Sequence, residues 1–225
     1  MAVSTLSGDV WIVSWSKDNH QALTWSRYAT GLYEPLGLKI VDDIIYVRGR
    51  DRITRLHDLN GSGEADFYEN FYEEPDEIGA SYHAFIYDLQ TDRAGNFYFS
   101  QSGYKSPLTG GVVKVSPDGK SAEFVGTDLR NPNGMGAGGP NDWVTITDNP
   151  GGKEVYNGFF LAKKGAKYGY ENSRTVPMLV RLPASVDSSS GGQCWSHAEK
   201  WGPLSGTVIH TSYSRCSAFY CFLLY

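Results

Sequence analysis

The segment Asp58-Leu59-Asn60-Gly61-Ser62-Gly63-Glu64-Ala65-Asp66-Phe67-Tyr68-Glu69 places oxygen-bearing groups at a spacing that can wrap a hard cation. It fits the twelve-residue pattern Asp-x-Asn-x-Ser-Gly-x5-Glu. Side chains at positions 1, 3 and 5, a backbone carbonyl at 7 and a carboxylate at 12 surround the ion, and Gly at 6 permits the sharp turn. Asp58, Asn60 and Ser62 would supply the first three oxygens, and Glu64 its carbonyl. Asp66 would add a carboxylate, directly or through water, and Glu69 the last one. Ser at position 5 is a weaker ligand than Asp, so modest calcium affinity is expected. The preceding Arg52–Leu56 reads as a strand, which makes this a calcium-type loop set in a β protein. The competing reading is a polar inter-strand loop rich in Asp and Gly.

Other chemistry-bearing residues form no recognisable constellation. His20, His57, His197 and His210 lack metal-ligand spacing, and none pairs with a Ser or Cys nucleophile motif. Cys194, Cys216 and Cys221 are an odd number confined to the last 32 residues, with no Cys-x-x-Cys pair; they read as small thiols rather than a disulfide or zinc framework. Gly134–Gly139 is Gly-rich but has no strand–helix context for a dinucleotide.

The elements that must position any site are strands. Twenty-six Gly and fifteen Tyr among 225 residues favour a turn-rich all-β architecture. A turn residue followed by an aromatic-centred strand recurs as Gly8–Val13, Asp42–Val47, Gly95–Phe99, Asn141–Ile146 and Ser217–Phe222. The first three gaps between the aromatics Trp11, Tyr46, Tyr98 and Trp143 are 35, 52 and 45 residues, close to the period of a four-stranded propeller blade, about 40–50 residues. The longer gap to Tyr220 leaves room for one weaker blade. Leu32-x-x-Pro35-x-Gly37 and Leu129-x-x-Pro132-x-Gly134 add a shared turn ahead of two of these strands. The expected fold is a single β-propeller domain or fragment over 1–225, of a six-bladed type and incomplete, with four to five blades. A β-sandwich is the alternative.

The formal charge of −5 provides no basic stripe for nucleic acid. No run of 18 apolar residues is present to span a membrane. Met1–Leu6 has neither the basic start nor the apolar run of a signal peptide, and both ends read as cut from a longer protein.

Three segments carry a family resemblance: His83–Asp92 leading into Asn96–Phe99, Leu129–Gly134, and Thr147–Glu154 followed by Lys164–Tyr170. In that order they resemble the soluble glucose/sorbosone dehydrogenases, six-bladed propellers that use pyrroloquinoline quinone and calcium. Nearly the whole chain, through Ser205, Gly206 and His210, is also similar to propeller domains of membrane-bound dehydrogenase type in large bacterial proteins. The resemblance implies that His83 is the general base that takes a substrate hydroxyl proton, a task suited to imidazole. It implies that Arg130 and Asn131 contact the quinone, and that backbone carbonyls of Asn149, Pro150 and Gly151 hold its calcium. It places Glu154 at a second, structural calcium. It further implies a sugar or alcohol substrate, an extracytoplasmic location, and haem or other domains in a longer parent protein. The family's further cofactor-binding Lys and Arg have no visible counterpart. Each residue also has a structural reading: His83 as a hydrogen-bonded His beside Tyr82 and Phe85, Arg130-Asn131-Pro132 as blade architecture, Asn149–Gly151 as a plain loop. The rival functions are a non-catalytic carbohydrate-binding or scaffolding module with a calcium-ordered loop, and a lactonase-type hydrolase.

Overall fold

The computed structural model describes residues 1–17, 22–73, 85–104, 110–151 and 155–222. Its strands form five separate sheets, and its helical content among these residues is one irregular 3-10 segment, Glu199–Leu204. The chain divides into two units, Met1–Glu77 and Ile78–Tyr225.

The first unit holds two blades. One is β1 (Ala2–Ser4), β2 (Val10–Trp15) and β3 (Leu23–Ala29); the other is β4 (Gly37–Val41), β5 (Ile44–Arg48), β6 (Arg52–His57) and β7 (Phe67–Glu73). Each is an antiparallel meander. The β4–β5 turn shows why: Val41 pairs with Ile44 across two residues, and Asp42 and Asp43 both take positive φ, 49° and 62°. That left-handed pair matches the twist of the strands it joins, and Asp tolerates it better than most side chains. Val10, Ala29, Ile45, Val47 and Leu56 form the core of this unit, with Ile12, Leu32 and Leu38 packed on it.

The second unit holds three. The first comprises β8 (Ile86–Thr91), β9 (Phe97–Gln101), β10 (Gly111–Val115) and β11 (Ala122–Thr127), with β15 (Ala166–Lys167) added in parallel on β11. The second comprises β12 (Met135–Gly138), β13 (Trp143–Asp148), β14 (Tyr156–Leu161) and β16 (Val180–Pro183). The third comprises β17 (Ser190–Trp195), β18 (Val208–Ser212) and β19 (Ser217–Cys221). Strand β9 is buried throughout, and β13 nearly so, as expected where a central strand is covered on both faces. The cores gather Tyr98, Val112, Leu129, Met135, Ile146 and Phe160 in one cluster and Phe159, Leu182, Trp195 and Val208 in another.

The chain is therefore all-β and built of five propeller-type blades. The recurring aromatic strand is β2, β5, β9 and β13, each flanked by pairing partners on both sides. The fifth motif falls on β19, at the edge of its sheet. In that blade the flanked strand is β18, where His210 is fully buried; the weaker blade and the last motif are one blade, and the rest of the long gap is β14 and β16 of the blade before it, with β15 added to the blade of β8–β11.

Candidate functional site

The second unit brings Arg130, Asn131 and Asn149–Gly151 into one hydrogen-bonded cluster. Its organiser is Asp148, the last residue of β13 and buried. The Asp148 carboxylate accepts the Arg130 N–H with both oxygens at 3.1 Å and the Asn131 N–H with Oδ1 at 2.7 Å. A turn that cannot pair in a sheet is thereby satisfied by one side chain. Burial pushes the Asp148 carboxyl up to about 6, although the two N–H groups and the Arg130 charge pull the other way.

The opposite side of the turn is held by the end of β9. The Arg130 carbonyl accepts hydrogen bonds from Ser102 Oγ at 2.8 Å and from the Gly103 and Tyr104 N–H groups at 3.0 Å each. Ser100 Oγ donates to the Pro132 carbonyl at 2.8 Å. Backbone and proline ring are thus fixed from two strands, and the side chains project from a rigid frame.

The Arg130 guanidinium lies over the Tyr104 ring, 4.0 Å from its centroid, and its Nη1 donates to the Asn149 carbonyl at 3.2 Å. Asn149 closes its own turn by accepting the Gly151 N–H at 2.9 Å, and its Nδ2 donates to the Ser188 carbonyl at 3.2 Å. Gly151 has φ +66°, and a Cβ there would run into the Arg130 guanidinium; glycine is required on both counts. Tyr87 donates its hydroxyl to Asn131 Oδ1 at 2.7 Å. Burial raises the Tyr87 phenol to about 12, the hydrogen bond to Asn131 opposing it. Among the described residues, Arg130 Nε and Nη2 and Asn131 Nδ2 are left with no hydrogen-bond acceptor. A guanidinium edge and an amide NH2, adjacent and pre-oriented, are donors suited to carboxylate and carbonyl oxygens.

A cavity of about 130 Å³ adjoins this cluster, lined by Asp148, Pro150, Phe160, Tyr168, Arg174 and Met178 among others. Its far wall is tied down by Asp128, whose carboxylate accepts the Glu171 and Asn172 N–H groups at 2.8 and 3.0 Å. Asp148, Tyr87, Tyr104 and Asp128 carry no role in the sequence reading. Asp148 alone had a visible signal, a carboxylate closing an apolar strand directly before Asn-Pro-Gly. His83 and Glu154 lie outside the described residues.

The calcium-type loop lies in the first unit, between β6 and β7. Asp58 Oδ1 and Asn60 Oδ1 both accept the Ser62 N–H, at 3.0 and 2.8 Å, and Ser62 Oγ sits 3.3 Å from the Glu64 carbonyl oxygen. Asp66 accepts the Leu59 and Asn60 N–H groups at 2.9 and 3.0 Å. Asp58, Asn60, Ser62 and Glu64 thus gather oxygens on the loop. Glu69 instead stands on β7 opposite Arg55, bonded to Arg55 Nη1 at 3.1 Å and His57 Nε2 at 2.7 Å. The His57 hydrogen bond is the main reason its carboxyl is held below the usual range. Among the described residues no three His, Cys, Asp or Glu side chains cluster as a metal site; the loop's donors are two carboxylates, an amide, a hydroxyl and a carbonyl.

No family model matches the chain, and no curated protein does. Solved structures do. A glucose dehydrogenase structure aligns over the whole chain and 80% of its own length, at 11% identity and TM-score 0.78. The soluble aldose sugar dehydrogenase of Escherichia coli, in its apo form, aligns over 97% of the chain and 81% of its own length, at 10% identity and TM-score 0.67. A gluconolactonase of Xanthomonas campestris aligns over 94% of the chain and 65% of its own length, at 19% identity and TM-score 0.60. At such identities the likeness is one of fold, and that fold is the β-propeller.

Proposed function

We propose that this chain is a sugar- or alcohol-oxidising propeller enzyme of the quinoprotein type, with Arg130 and Asn131 as its cofactor-holding pair. The single observation carrying this reading is the set of donors on those two residues that have no acceptor among the described residues, on a turn fixed by Asp148, Ser102 and Tyr104. The donor set fits pyrroloquinoline quinone, whose carboxylates and carbonyls need a guanidinium edge and an amide. The carbonyls of Asn149, Pro150 and Gly151 would hold calcium beside it, although that of Asn149 already accepts a hydrogen bond from Arg130. When bound, the quinone supplies two-electron oxidation and the calcium supplies Lewis-acid polarisation. Arg130 and Asn131 would orient that group, the Tyr104 ring would hold the guanidinium in place, and His83 would take the substrate hydroxyl proton. The likeness in fold to glucose and aldose sugar dehydrogenases supports a small sugar as substrate.

A calcium ion on Asp58, Asn60, Ser62, Asp66 and the Glu64 carbonyl would stiffen the first unit, and Glu154 is proposed for a further structural calcium. Calcium dependence fits an extracytoplasmic location; no helix among the described residues is long and apolar enough to cross a membrane. The test is reconstitution of the purified protein with the quinone and calcium, a dye acceptor and a panel of aldoses and alcohols. Sugar-dependent dye reduction supports the reading; its absence across the panel returns the chain to a non-catalytic carbohydrate-binding propeller.

A further inference from the structure

We infer that the first unit carries a binding subsite for a neutral hexose ring, formed between β6, β7 and the segment 31–33. A cavity of about 300 Å³ is lined there by Tyr33, Asp51, Arg52, Thr54, Tyr68 and Asn70, with Gly49 at its edge. Strand alternation places Arg52 and Thr54 of β6 on one face, and pairing sets Asn70 opposite Thr54 and Tyr68 opposite Leu56. Farther along this face Leu56 is buried in the apolar core. The polar half is left for the cavity.

Thr54 is the telling residue. It is only 6% exposed, yet among the described residues its hydroxyl has no hydrogen-bond partner. Its oxygen is nonetheless open to the cavity, where a ligand hydroxyl can reach it. Across from it Asn70 donates Nδ2 to Glu73 at 3.2 Å, which leaves its carbonyl oxygen to accept. Arg52 and Asp51 form a pair at 2.7 Å. Tyr33 is 52% exposed, with the Arg50 guanidinium 5.9 Å from its ring centroid and Arg50 itself paired with Glu34 at 2.9 Å. The Tyr33 carbonyl is fixed by the Arg50 N–H at 2.8 Å, an approach allowed because Gly49 has no Cβ to meet that oxygen.

The charges here are matched pairwise, so an anion or cation would have to break an ion pair to bind. Neighbouring ring hydroxyls, each donor and acceptor at once, fit a hydroxyl, an amide oxygen, a carboxylate and a guanidinium set close together. The exposed phenol ring suits the apolar C–H face of a pyranose. A volume of about 300 Å³ lies at the lower end of ligand sites, enough for one ring and too small for an extended chain.

The test titrates methyl β-D-glucoside, whose anomeric carbon is blocked against oxidation, into the isotopically labelled full chain without quinone, followed by amide chemical shifts. Saturable shifts at Tyr33, Thr54 and Asn70 are expected. Thr54→Val should weaken binding about fivefold, Thr54→Ser should restore it, and Tyr33→Ala should weaken it roughly tenfold. Arg130→Ala should leave it unchanged, so that failure of dye reduction and failure of this subsite are separately visible. No saturable binding, binding indifferent to both Thr54→Val and Tyr33→Ala, or displacement by inorganic phosphate would overturn the inference.

Discussion

Asp148 accepts the Asn131 backbone N–H at 2.7 Å from 17 residues along the chain, and shares its carboxylate with the neighbouring Arg130 N–H. One buried acid thus holds the turn that carries both side chains proposed to contact the cofactor. Asp148→Asn would turn an NH2 toward a backbone N–H. The expected loss is about 1–3 kcal/mol, read as a lower urea midpoint with an unchanged m-value. Dye-linked activity should fall further than stability explains.

Arg130→Lys should not behave as a conservative change. An ammonium cannot stack on Tyr104 and present an edge of donors at the same time. Quinone affinity should drop about tenfold or more with little change in Tm. Tyr104→Leu should reproduce part of that loss, because it removes the ring the guanidinium rests on.

Asp187 joins β16 to β17 and is buried with His210, Ser190 and Ser212, which bond to its carboxylate at 3.0, 2.6 and 2.7 Å. Burial alone would raise its pKa. The hydrogen bonds from His210, Ser190 and Ser212 outweigh this and bring it down to about 2. A carboxyl depressed on folding stabilises the native state above its unfolded pKa, so the contribution is whole at neutral pH. It is lost as pH falls from roughly 4 to 2, on the order of 2 kcal/mol. In thermal melts across that range Asp187→Asn should start lower at pH 7 and show a flatter acid limb.

Much of the fold was legible in the sequence because the signals were local. Trp11, Tyr46, Tyr98 and Trp143 each lie on a strand paired on both sides, Tyr46 and Tyr98 buried and the two tryptophans partly so. The last blade departs from the pattern because its flanked strand carries His210, made compatible with burial by Asp187 from a separate loop. No periodicity reveals such a pairing. The site shows the same divide. Arg130, Asn131 and the Asn149 turn stand out in the chain, and Asp148 left one signal, a carboxylate directly before Asn-Pro-Gly; Ser102, by a hydrogen bond to the Arg130 carbonyl, and Tyr104, by its ring under the guanidinium, act through contacts that sequence spacing does not encode. Glu69 completes a calcium pattern by position, yet strand pairing sets it opposite Arg55, and the ion pair claims it.

Calcium should raise the melting temperature through the 58–66 loop. At free calcium a hundredfold above Kd the gain is about 2.7 kcal/mol. Asp58→Ala should remove the loop's share of that gain, while Glu69→Gln, whose partners are Arg55 and His57, should lower basal stability and leave the gain intact. A calorimetric scan with and without chelator reads both.

The pre-oriented donors of Arg130 and Asn131 are tested most directly by titrating pyrroloquinoline quinone into the protein with calcium present and following binding by fluorescence quenching. Saturable binding to the wild type, weakened about tenfold or more in Arg130→Ala at unchanged Tm, is the predicted result. Equal binding by the two proteins, or none by either, would contradict it.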